Sequence, residues 1–98
     1  MPLVVDPDGV ELATIRELAD LRGARVLDVG CGDGRLSFAC ASEGSTVYGI
    51  DPVAEDIALA RRATPRTLRG QVRFDVADAA EAELPEREFD LALFSWSL

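Results

Sequence analysis

Apolar positions along this chain follow two periods that take turns. Dense short runs at 25–29, 46–50, 71–76 and 89–95 alternate with stretches where apolar residues recur every three or four positions. Arg25 to Val29 is short and largely apolar, which suits a parallel strand buried on both faces. Thr46 to Ile50 is rich in β-branched and aromatic residues. Gln71 to Val76 alternates through Val72, Phe74 and Val76, and Phe89 to Ser95 reads as a fourth strand.

The intervening stretches read as helices. Asp8 followed by Glu11 has the form of a capping box, and Leu12, Ile15, Leu18 and Ala19 recur behind it. This leading helix region, 1–23, ends near Leu21 or Arg22 with Gly23 as its stop. A second helix starts around Gly34, capped by Asp33, carries Leu36, Ala39 and Cys40 on its inner face, and stops at Gly44. A third opens at Asp51-Pro52, turns Ile57, Ala58 and Ala60 inward, and closes at Thr64-Pro65. Phe38 and Phe74 are expected in the core. Ala77 to Glu88 is acidic, contains Pro85 and holds a short helical turn at best.

Strands alternating with helices, joined by connections too long for hairpins, define an α/β fold with a parallel sheet. There is no internal repeat, and 98 residues make one domain, 1–98. Ligands of such sheets bind at the carboxyl ends of the strands. The glycine-rich loop after the first strand falls on that edge, as do Asp51, Asp78 and Ser95 after the second, third and fourth.

The loop reads Asp28-x-Gly30-x-Gly32-x-Gly34. A dinucleotide fingerprint needs G-x-G-x-x-G, and Arg35 stands at the place of its third glycine. An acidic residue two positions before the first glycine suits a ligand with positive charge better than a pyrophosphate. Taken one at a time, these residues have structural readings too. Asp51 can cap the third helix, the glycines can serve only the turn, and Asp78 can be an ordinary loop carboxylate.

As a set, they resemble motif I of the class I S-adenosylmethionine-dependent methyltransferases, acidic-x-G-x-G-x-G. Val47-Tyr48-Gly49-Ile50-Asp51 is similar to that family's second strand with its terminal acidic residue. Asp75-Val76-Ala77-Asp78-Ala79 is similar to the adenine-holding segment, and Phe89 to Ser95 to the fourth motif, beneath the methionine moiety. The resemblance implies a Rossmann-like doubly wound sheet of strand order 3-2-1-4, truncated after the fourth of seven strands. It implies S-adenosylmethionine as cofactor, with Gly30, Cys31 and Gly32 lining it. Asp28 would neutralise its ammonium, directly or through water, Asp51 would accept the ribose hydroxyls, and Asp78 and the Ala79 amide would meet the adenine edge. Ile50, Pro52 and Val53 would pack on the purine, and Ser95 would border the methionine moiety. The fourth strand would then be an open edge with one sheet face short of helices, favouring self-association or a partner chain. No catalytic residue emerges, and in-line methyl transfer depends mainly on proximity and orientation.

Composition narrows the partners. The charge is −8, from 10 arginines, no lysine and 18 carboxylates. That balance disfavours a nucleic-acid partner, leaving a small-molecule acceptor. Arg61, Arg62, Arg66, Arg69 and Arg73 read as a solvated helix face and loop. Cys31 and Cys40 fit no metal spacing and there is no histidine, so no metal site is expected. Cys40 reads as core; the nearby helix N-terminus is expected to lower the thiol pKa of Cys31. No run is long enough to span a bilayer and no leader is recognisable at the N-terminus, which together read as a cytoplasmic protein. Two other functions fit the chain: a non-catalytic cofactor-binding or interaction module, and, less well, a nicotinamide-dinucleotide enzyme.

Overall fold

In the computed structural model, which describes residues 3–5, 20–78 and 88–94, five strands form one all-parallel sheet. They are β1 (Leu3–Val5), β2 (Arg25–Val29), β3 (Thr46–Asp51), β4 (Val72–Val76) and β5 (Leu91–Phe94). The spatial order is β1-β5-β2-β3-β4. The four strands expected from the sequence thus lie in the order 3-2-1-4. The fifth, Leu3–Val5, adds to the outer side of β5 with Val4 opposite Ala92. This corrects one expectation, since the last of the four expected strands is not an open edge, and it adds a strand that the sequence did not announce. Three residues in a strand are too few for a periodic signal, and their pairing depends on a partner almost ninety residues away. The leading helix proposed for Asp8 to Ala19 lies outside the described residues, as do Ala79 to Arg87 and Ser95 to Leu98.

Two helices connect the central strands, α1 (Arg35–Ser42) and α2 (Ala54–Ala63). Both pack on one face of the sheet. Val26, Val47, Leu91 and Leu93 meet Cys40 and Ala41 of α1, while Phe74 and Cys31 meet Ile57 and Ala60 of α2. On the other face, Leu27, Val29, Ile50 and Ala92 form a second buried cluster, bordered by Tyr48, Phe89 and Phe94. The strands therefore bury both faces, as their near-continuous apolar runs require. Asp51 initiates the turn into α2, and beyond Thr64-Pro65 a single 3-10 turn, Arg66–Leu68, leads into β4.

The inner faces of the helices differ from the apolar pattern. On α1 the fully buried positions are Ser37, Cys40 and Ala41, with Leu36 and Ala39 half-buried. The helix is rotated by a polar contact, since the Ser37 hydroxyl donates to Asp28 Oδ2 at 2.7 Å. On α2, Ile57 and Ala60 are buried and Ala58 faces solvent. Phe38 and Phe74 meet edge-to-face in the core, their ring centroids 5.6 Å apart, as expected.

Candidate functional site

Because all strands are parallel, the glycine loop, Asp51 and the Ala77–Asp78 segment come together at one edge. Three glycines of the loop take left-handed backbone angles: Gly30 at φ 73°, Gly32 at 55° and Gly34 at 87°. The amides of Gly30 and Cys31 both donate to the Ile50 carbonyl, at 2.8 and 3.0 Å. The Gly32 amide donates to Asp51 Oδ2 at 3.0 Å, and the Gly34 amide to the Cys31 carbonyl at 3.0 Å. These four amides are therefore turned into the protein. A pyrophosphate loop turns its amides outward as a nest, which these four amides do not do.

Asp51 is the hinge of the site. One carboxylate oxygen holds the Gly32 amide and the other takes the Val53 amide at 2.8 Å, so a single side chain joins the loop to the start of α2. It is 7% exposed. A carboxylate has about four lone-pair positions, so these two bonds leave acceptor capacity toward the crevice. The capping reading and the ligand reading therefore coexist in one residue. Alongside, the Ala77 amide donates to the Asp51 carbonyl at 3.1 Å, which carries β4 on toward the exposed Asp78.

Asp28 is fully buried beneath the loop and engaged by Ser37. The structure thus gives it an internal role, holding α1 against β2. Asp33 accepts the Arg35 amide at 3.2 Å, just ahead of Gly34, which occupies the cap position of α1. The Cys31 thiol is pushed up to about 12, by burial first and then by the charges of Asp28 and Asp51. This reverses the lowering expected from the helix terminus, because desolvation of a thiolate outweighs a partial dipole. Cys40 is likewise raised to about 12, chiefly by burial.

Around the crevice the apolar residues are not all the expected ones. Ile50 is 1% exposed and belongs to the core on the opposite face. Pro52 and Val53 are exposed, and so is Val76, which pairs in register with Asp51. The sequence does not single out Val76, because its strand alternation marks it as core. The signal lies in its place at the strand's end, beyond the cover of α2. A side chain on Gly32 would meet nothing within 4 Å, so the loop borders open space there. Ala79 and Ser95 lie outside the described residues.

The methyltransferase-domain family profile matches residues 26–98, and the chain belongs to that family. The chain is 37% identical over 76 residues to the magnesium-protoporphyrin O-methyltransferase of Rhodobacter capsulatus, covering 78% of this chain and 34% of that protein. To the ubiquinone biosynthesis O-methyltransferase of Pseudomonas putida (strain GB-1) it is 42% identical over 78 residues, covering 79% and 33%. Among solved structures it is similar to magnesium protoporphyrin IX methyltransferase (ChlM) from Synechocystis PCC 6803 with bound SAH. That match has a TM-score of 0.65 and 32% identity, and it covers 72% of this chain and 33% of that one. The chain thus spans about a third of the length of these relatives. Among the described residues no helix is long and apolar enough to cross a membrane.

Proposed function

We propose that this chain forms the S-adenosylmethionine site of an O-methyltransferase acting on a small molecule. The observation that carries the reading is the pairing of inward-turned loop amides with the Asp51 carboxylate at the strand ends. Such an edge rejects a pyrophosphate and suits a ligand that donates hydrogen bonds and carries positive charge. When bound, the cofactor supplies an electrophilic methyl group on its sulfonium.

The chain's own residues bind and orient it. Asp51, already fixed by two amides, accepts the ribose hydroxyls with its remaining lone pairs, at little reorganisation cost. Val53 and Val76 stand on either side of Asp51 as apolar walls for the adenine, with Pro52 beside Val53. Asp78, with the Ala79 amide, accepts and donates at the adenine edge, and Ser95 borders the methionine moiety. Gly30, Cys31 and Gly32 let the backbone approach without side-chain obstruction. Asp28 contributes negative charge from beneath the loop. A cytoplasmic setting fits the two buried free thiols.

Calorimetric titration with S-adenosylmethionine, its demethylated product and a nicotinamide dinucleotide tests the reading. The first two are expected to bind and the third is not. Asp51→Ala is expected to weaken S-adenosylmethionine by about tenfold or more, the worth of a charge-assisted bond pair. Unchanged affinity in a folded variant would overturn the ribose assignment.

A further inference from the structure

The opposite edge of the sheet holds a cavity of about 620 Å³ that the methyl-donor reading does not use. It lies at the amino-terminal ends of the strands, beside Arg25, Thr46, Tyr48, Gln71 and Phe89. These positions precede the strand ends at Val29, Asp51 and Val76 by three to five residues, roughly 10–16 Å at the usual strand rise. The cavity opens over the face that α1 and α2 leave uncovered, where Tyr48 and Arg73 are register partners.

Its walls combine aromatic surface with positive charge. The rings of Tyr48 and Phe89 are nearly parallel, 12° apart with centroids 6.3 Å apart. The Arg73 guanidinium lies over the Tyr48 ring, 5.4 Å from its centroid. Among the described lining residues there are three arginines, Arg25, Arg69 and Arg73, against one carboxylate, Glu88. Arg73 is paired with Asp75 at 3.0 Å and Arg25 lies 3.5 Å from Asp90. Arg69 has no ion-pair partner among the described residues. It sits within a stretch, between Asp56 and Asp75, that contains five arginines and no carboxylate, in a chain whose total charge is −8.

We propose that this edge is a second ligand site, for a planar aromatic anion such as an aryl carboxylate. A ring system extends the Tyr48–Phe89 stack, and the carboxylate is met by the Arg69 fork, which carries no ion pair among the described residues. The volume falls within the range of small-molecule sites. The distance from Asp51 separates this occupant from the methyl-transfer edge, so the ligand binds independently of the cofactor. Arg69 and Arg73, which read from the sequence as solvated charges, become recognition groups once the sheet sets them beside two aromatic rings.

Calorimetry and amide NMR on this chain test the site with three probes: 2-naphthoate, the neutral 2-naphthamide, and acetate. Naphthoate is expected to bind about tenfold tighter than either control, to shift the signals of Tyr48, Gln71 and Phe89, and to leave S-adenosylmethionine affinity unchanged. Arg69→Gln, at an exposed position, is expected to fold normally by circular dichroism and lose about tenfold in naphthoate affinity. Equal binding of naphthamide, full affinity in Arg69→Gln, or shifts confined to the Asp51 edge would overturn the proposal. So would a dimer dissociated by salt and abolished by Arg69→Gln, which would assign the patch to the acidic surface of a second copy. Because cofactor affinity is read separately, failure here is distinguishable from failure of the methyl-donor reading.

Discussion

Gly34 shows how one position carries both conformation and packing. Its φ of 87° is costly for any side chain, and a Cβ there would lie 2.8 Å from Phe74 Cζ and 3.1 Å from Phe38 Cζ. Gly34→Ala is expected to destabilise the chain by about 2–3 kcal/mol in urea titration, from backbone strain plus overpacking. Adding Phe74→Leu is expected to recover the packing share and leave the strain. Cys31 makes a second residue-scale prediction. With its thiol held up at about 12, alkylation at pH 8 is expected to run roughly a thousandfold slower than for a free cysteine. Mass spectrometry of iodoacetamide-treated protein, native against urea-unfolded, checks it. At this scale the glycines and Asp51 were legible because spacing and residue type announce a turn at a strand end. The burial of Asp28 and the exposure of Val76 were not, since each depends on what packs above the residue.

Between elements, two polar links matter more than the apolar pattern suggests. Ser37 joins α1 to Asp28 of β2, so Ser37→Ala removes a buried hydrogen bond to a carboxylate and is expected to cost about 1.5–3 kcal/mol by chemical denaturation. The second link ties α2 to the edge strand. Asp75 accepts from the Tyr48 hydroxyl at 2.8 Å and from Arg61 and Arg73 at 3.1 Å each. Burial by itself would raise the Asp75 carboxyl, but the Tyr48 bond and the two guanidiniums outweigh it and hold it below its ordinary value. Folding thus favours the ionised form. The stabilisation is present above the ordinary carboxylate range and is lost as pH falls through that range toward the lower folded-state value. Thermal melts from pH 7 downward are expected to show stability falling with acidification, and Asp75→Asn is expected to flatten that slope. The helix and strand positions followed from periodicity; the rotation of α1 did not, because an inward serine reads as polar until its partner is placed beneath it.

For the molecule as a whole, the N-terminal strand decides whether β5 is an inner strand or an edge of the sheet. β1 pairs with β5 through three residues, covering an edge that would otherwise present unpaired amides and carbonyls. Removing residues 1–5 is expected to lower the melting temperature and to produce salt-insensitive aggregates by light scattering. Unchanged solubility and melting would show that this pairing adds little. The sequence alone determined the alternation of strands and helices, the parallel sheet and the glycine loop, because each depends on local period, local turn chemistry or one short motif. Only the tertiary structure decided which way the loop amides turn, that Asp28 lies beneath the loop, and that Leu3–Val5 pairs on the outer side of β5. It alone set distant arginines beside Tyr48 and Phe89. Those outcomes depend on residues far apart in the chain meeting across a sheet, and no local pattern encodes such a meeting.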